Sequence, residues 1–143
     1  FLPFDMGVIN GYDVKIQLYT VPGQVKYNAT RRLVLRGVDG IVFVADAMAV
    51  RREKNVLSLE NLKENLANYK KSIIKIPCVF QYNKIDLLEQ GIPVLPVETL
   101  EEDLNSRLKR PSFAASALAG TNVVATLKKI ISMTVTSIKK DLK

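Results

Sequence analysis

Ile76-Pro77-Cys78-Val79-Phe80-Gln81-Tyr82-Asn83-Lys84-Ile85-Asp86 runs from an apolar segment straight into a polar tetrapeptide, and its reading decides the fold. The apolar part has the length and composition of a buried strand. The tetrapeptide Asn83-Lys84-Ile85-Asp86 then carries the groups needed to read a purine edge. A carboxylate at Asp86 offers two acceptor oxygens to adjacent ring and exocyclic N–H donors, which guanine has and adenine lacks. Asn83 can tie the loop and reach the acceptor edge of the base, and the Lys84 methylenes can lie along a ring face. Four residues of this kind also make an ordinary polar turn after a strand, so they count only with their neighbours.

Two further motifs follow strands. Thr20-Val21-Pro22-Gly23-Gln24 comes after the alternating segment Tyr12 to Tyr19. Gly23 has no Cβ, so its backbone N–H can come close to a phosphate. Gln24 carries both a donor and an acceptor, as orienting a hydrolytic water requires. Ala115-Ser116-Ala117-Leu118 comes after the short apolar stretch beginning at Phe113, and its small residues let backbone N–H groups approach a base oxygen. Each alone is also a common turn or small-residue run.

A coarse pass along the chain predicts an α/β architecture. Phe4 to Ile9, an Asn10-Gly11 turn and Tyr12 to Thr20 read as a β-hairpin, with Val14, Ile16 and Leu18 on one face. Asn28 to Arg36 reads as a short helix with Leu33 and Val34 buried. Ile41 to Ala45 reads as a parallel strand covered on both faces. A helix from about Arg51 to Lys71 would bury Leu62, Leu66 and Tyr69, with Ile73 continuing the spacing. Thr99 and Glu102 form a capping-box pattern ahead of Leu100, Leu104 and Leu108. The last helix would bury Val124, Leu127, Ile131, Ile138 and Leu142. Alternating strands and helices imply parallel strands joined by right-handed crossovers. Thr20, Asn83 and Ser116 then all fall where a strand hands over to a loop, the edge at which open parallel sheets bind ligands.

Composition fits one globular domain: 143 residues, 48% hydrophobic, with no low-complexity linker or internal repeat. The single Cys78 lies in the apolar run and is expected to be a reduced core thiol. The absence of histidine removes the usual metal ligand and general base. No run of 18 apolar residues is present to cross a bilayer. A cytoplasmic setting is expected. The 21 basic and 14 acidic residues leave a net charge of +7, spread in pairs such as Arg31-Arg32, Lys70-Lys71 and Lys139-Lys140. Such pairs suit solvated helix faces, with an anionic membrane surface or an acidic partner as the functional alternative; nucleic acid is less suited, because aromatics do not interleave them.

Taken together, Leu18 to Gln24, Gly37 to Asp46, Ser58 to Leu62 and Gln81 to Lys84 resemble the Ras-like small GTPases, and among them the bacterial gliding-motility and cell-polarity GTPases of the MglA type. The likeness runs over essentially the whole chain. It implies a P-loop NTPase-like, three-layer α/β sandwich with a mostly parallel sheet and one antiparallel edge hairpin, in a single G domain spanning 1–143. It implies GTP/GDP binding through Asn83, Lys84, Asp86, Ser116, Ala117, Leu118 and Gly23, with Gln24 catalytic and Thr20, Val21 and Pro22 opening switch II. Thr20 matches the MglA type, where most Ras-like proteins have a magnesium-holding Asp. A roadblock-type, MglB-like activating partner is implied for the segment Val21 to Arg36. Mg2+ is implied too, with its main ligands upstream of Phe1. No Gly-x-x-x-x-Gly-Lys-[Ser/Thr] occurs, so the chain is expected to be N-terminally incomplete and to lack the family's first strand. Without that central strand it is expected not to fold stably alone, since each unpaired buried group costs ~1–3 kcal/mol. A non-hydrolysing interaction module that has shed its phosphate loop is the rival reading.

Overall fold

The structure, a computed structural model, describes residues 2–9, 11–21 and 28–141. The chain divides into two compact units, Phe1–Gly37 and Val38–Lys143. In the first unit, β1 (Leu2–Ile9) pairs antiparallel with β2 (Tyr12–Leu18). The pairing slips by one residue between Asp5 and Gly7, and Gly7 has a φ of 71° there, a bulge that glycine accommodates without a Cβ clash. Asp5 Oδ1 accepts a hydrogen bond from the Gly7 amide at 2.9 Å. Val14, Ile16 and Leu18 share the more buried face of β2, as the alternation predicts. Gly11 adopts a φ of 85°, and Asn10 of the expected turn lies outside the described residues.

The helix α1 (Asn28–Leu35) buries Leu35, not Leu33, which is 72% exposed. The stripe is Arg31, Val34 and Leu35, an i, i+3, i+4 set, and Leu33 lies about 100° round the helix from Val34.

In the second unit, β3 (Ile41–Asp46), β4 (Cys78–Asn83) and β5 (Ser112–Ala114) form a parallel sheet in the order β3-β4-β5. The central strand β4 is buried throughout to Tyr82, with Cys78, Val79, Phe80 and Tyr82 fully buried. Phe80 meets the Phe43 ring edge-on, with centroids 5.6 Å apart. Aromatic burial of this kind adds to the local driving force, each large apolar side chain contributing about 1.5–3 kcal/mol. The strand β3 departs from expectation: Ile41, Phe43 and Ala45 are buried, but Val44 on its other face is 54% exposed. Its pairing to β4 is along one side, and among the described residues no strand pairs with the other side.

A 3-10 turn (Ala49–Arg51) leads into α2 (Arg52–Asn68), which buries Leu59 and Leu66. The helix stops before the predicted Lys71, because Lys70 takes a left-handed φ of 58° and the Lys71 amide closes back on the Leu66 carbonyl at 2.9 Å. Leu62 and Tyr69 are half-buried, and the buried Ile73 lies past the helix end.

The segment after β4 forms a 3-10 helix (Ile85–Gln90), and α3 (Val97–Leu100) continues through a π turn over Glu101–Asn105. Thr99 is not the cap. Pro96 precedes the first helical residue, and no side chain caps the end. Proline's fixed φ starts the helix three residues before the Thr99 pattern would. Leu100 and Leu104 are buried as expected, and Tyr82 Oη donates to Glu101 Oε1 at 2.7 Å.

On the other face of the sheet, α4 (Val123–Asp141) buries Thr126 and Ile130. Val124 and Ile138 of the expected stripe are exposed, Leu127 and Ile131 are half-buried, and Leu142 lies outside the described residues. The stripe is rotated because buried Gln81 donates to Thr126 Oγ1 at 2.9 Å, and a buried amide without a partner is costly. At Gly40, a Cβ would run into the Thr134 hydroxyl, so the start of β3 sits directly under α4.

Candidate nucleotide site

Two loops meet at the C-terminal edge of this sheet. The Ala115 amide donates to the Tyr82 carbonyl at 2.7 Å, and the Ile85 amide to the Ala115 carbonyl at 3.3 Å. Asn83 Oδ1 accepts from the Ala117 amide at 2.8 Å, which locks the tetrapeptide to the small-residue loop. The Asn83 carbonyl accepts from the Ala47 amide at 2.9 Å, so the same residue joins the ends of β3, β4 and β5.

Lys84 takes a left-handed backbone, φ 72°, which turns the chain sharply out of β4 and into the 3-10 helix. Its Nζ is 2.8 Å from Asp46 Oδ2, so the aliphatic stem is fixed at both ends. Asp46 is held in turn. Its amide donates to Asn55 Oδ1 at 3.1 Å, its carbonyl accepts from Asn55 Nδ2 at 2.8 Å, and its Oδ1 accepts from the Met48 amide at 3.0 Å. Asp86, two residues past Lys84, is half-buried, and among the described residues its carboxylate accepts no hydrogen bond and has no ion-pair partner. A carboxylate held at a rigid rim with both oxygens unused is an acceptor pair for an incoming donor edge.

The second loop is closed on itself. Ser116, 1% exposed, pairs with Thr121 through amide–carbonyl bonds of 3.2 and 2.9 Å, and Ser116 Oγ accepts from the Ala119 amide at 3.1 Å. Asn122, with a φ of 57°, donates from its side chain to the Ala114 carbonyl at 2.8 Å. The Ser116 and Ala117 amides are therefore engaged inside the cluster. Among the expected loop residues, the Leu118 amide has no partner among the described residues, and Leu118 is 87% exposed.

Sequence reasoning brings Asn83, Lys84, Asp86, Ser116, Ala117 and Leu118 to one rim, and the structure places them there. Thr20 and Val21 leave the end of β2 in the first unit, while Pro22, Gly23 and Gln24 lie outside the described residues. Asp46, Asn55 and Asn122 were missed. Asp46 works through Lys84, 38 residues further on, and Asn55 and Asn122 through carbonyls nine and eight residues before them, beyond any local pattern.

At this rim the Asp86 carboxylate, unpartnered among the described residues, lies next to two loops joined through Asn83 and Ala117. Among the described residues no group of three His, Cys, Asp or Glu is placed to hold a metal ion. A cavity of about 470 Å³ lies away from this rim, lined by Glu101, Glu102, Asn105, Ser106, Lys109 and Arg110. Its walls carry both signs of charge, and it has no part in base recognition. No helix among the described residues is long and apolar enough to cross a membrane. Burial pushes the Cys78 thiol up to about 11, despite nearby Arg110, so the thiol is protonated and inert at neutral pH.

A sequence profile of the Ras family matches residues 5–136. The chain belongs to the Ras family of small GTPases, and within it to the MglA type. It is 46% identical to the mutual gliding-motility protein MglA of Myxococcus xanthus over 140 residues, covering 98% of this chain and 69% of that protein. Family membership implies guanine nucleotide and Mg2+ as ligands.

Proposed function

We propose that this protein is a guanine-nucleotide switch that hydrolyses GTP slowly and controls cell polarity or gliding movement. The observation that carries the reading is the Asn83–Ala117 bond, which joins the two loops beside an Asp86 carboxylate with no partner among the described residues. In this reading Asp86 accepts from the two donors on the guanine edge, the Lys84 stem covers one ring face, and the Leu118 amide donates to the base oxygen. Asn83 holds the loops together, and Ser116 and Ala117 shape the turn that presents that amide.

Phosphoryl transfer depends on positioning and charge stabilisation. Gln24 would orient the attacking water and Gly23 would approach the γ-phosphate, with Thr20, Val21 and Pro22 leading into switch II. A bound Mg2+ would neutralise developing phosphate charge. A roadblock-type partner of the MglB kind would dock on Val21 to Arg36 and govern turnover. The chain is read as one G domain, at work on the cytoplasmic side. The relative's name supplies the motility assignment.

Replacing Asp86 with Asn in the full-length protein tests the reading. It exchanges an acceptor for a donor opposite the 2-position of the base. Guanine-nucleotide affinity should fall by on the order of a thousandfold, with preference moving toward xanthine nucleotides. Unchanged guanine affinity would refute the assignment.

A further inference from the structure

We propose that the N-terminal edge of the parallel sheet, opposite the nucleotide rim, is a docking surface for an anionic lipid bilayer. Parallel strands collect their entry segments at one edge. The Ile41 amide donates to the Pro77 carbonyl and the Phe80 amide to the Pro111 carbonyl, both at 2.9 Å. Arg110 donates from its guanidinium to the Ile73 and Ile74 carbonyls, which draws residues 105–111 against residues 73–77. The close approach of Gly40 to Thr134 aims the last turns of α4 past the same edge.

The cations gathered there are Lys70, Lys75, Arg107, Lys109, Lys139 and Lys140. All are exposed except Lys139, which is half-buried, and among the described residues none forms a salt bridge. Asp39 and Asp141 stand at this edge too, and Glu101 and Glu102 face Lys109 across the mixed-charge cavity. Helix C-termini favour cations, which accounts for Lys70, Lys139 and Lys140. It does not account for Lys75, Arg107 and Lys109, which lie in connections outside regular helices.

Among these charges Ile74 is 70% exposed, and Ile138 is 38% exposed beside Lys139. Aliphatic side chains at the same edge as these cations match a headgroup layer, where the apolar groups enter the interface and the cations meet lipid phosphates. A nucleic acid would be better served by aromatic stacking surfaces, and the exposed apolar chains here are aliphatic. A discrete acidic ligand would need an anion cavity, and the cavity at this edge is walled partly by glutamates.

The test is co-sedimentation of the full-length protein with vesicles of phosphatidylcholine alone or mixed with phosphatidylglycerol. Binding to the mixed vesicles should exceed binding to pure phosphatidylcholine and weaken with salt. The pair Lys75→Gln and Lys109→Gln should weaken it about twenty-five-fold, from roughly fivefold per cation. The pair Lys75→Arg and Lys109→Arg should keep it, and Ile74→Ser should weaken it severalfold. Guanine-nucleotide affinity and the thermal melt should be the same in all variants, which separates this surface from the nucleotide site. Equal binding to both vesicle types would overturn the proposal. So would indifference to the glutamine pair, or retention on duplex DNA without vesicle binding.

Discussion

The two edges of the three-stranded sheet use polar groups in opposite ways. At the C-terminal edge, Lys84, Asp46 and Asn55 are bonded in a chain, Asn83, Ser116 and Asn122 bond within the two loops, and among the described residues Asp86 is left with unused acceptors. At the N-terminal edge, lysines and an arginine, nearly all exposed, have no ion-pair partners among the described residues. A network with one vacancy discriminates among ligands, because a mismatched donor or acceptor leaves a desolvated group unpaired. A diffuse field of cations attracts without reading shape. The same β4 strand serves both, running from Cys78 at one edge to Asn83 at the other.

Within the bonded network around Asp86, the contrast is broken most severely by Asn83→Ala. It removes the bond to Ala117 and frees the two loops from each other, so guanine-nucleotide affinity should fall about a hundredfold, read by nucleotide titration. Alkaline pH probes the other end of β4. Cys78 ordinarily titrates near 9.0 and is raised to about 11 in the fold, so its stabilising effect is complete below pH 9 and is lost as pH rises toward 11. Tyr82, also raised by burial and by its bond to Glu101, acts in the same direction. Denaturant titrations should show stability declining by about 2–3 kcal/mol across that interval. Gly40→Ala should cost about 1–2 kcal/mol, because the new methyl meets Thr134, and leave nucleotide specificity intact. The smallest effect is expected for Asp46→Asn. The Lys84 anchor is partly exposed, so its ion pair contributes at most about 1 kcal/mol, or a roughly fivefold weakening of guanine binding. A thousandfold loss at Asp46 would mean that it touches the ligand itself.

These positions also mark how far the sequence could be read. β4 and its polar terminus were legible because a continuous apolar run, a sharp change to polar residues and a recurrent four-residue pattern coincide. The parallel order followed from alternating strands and helices. What escaped depends on phase or on distant partners. Leu33 and Leu35 differ by two places, and local periodicity in an eight-residue helix could not choose between them. The α4 stripe was mistaken because apolar residues were counted as the buried face, while Thr126 is drawn inward by a glutamine 45 residues earlier. The Thr99 pattern mimicked a cap that Pro96 had already made unnecessary. Gly23 and Gln24 lie outside the described residues, so their roles rest on the resemblance.

Asn55 grips the main chain of Asp46 at two points, and Asp46 grips Lys84, so a residue on a flanking helix helps set the shape of the turn that follows β4. The stretch from Ala47 to Arg51 is consequently of fixed measure. An insertion or deletion there would turn Asn55 off its target and detune purine choice at long range, a route by which drift in an ordinary connector could alter ligand preference while every contacting side chain stays the same.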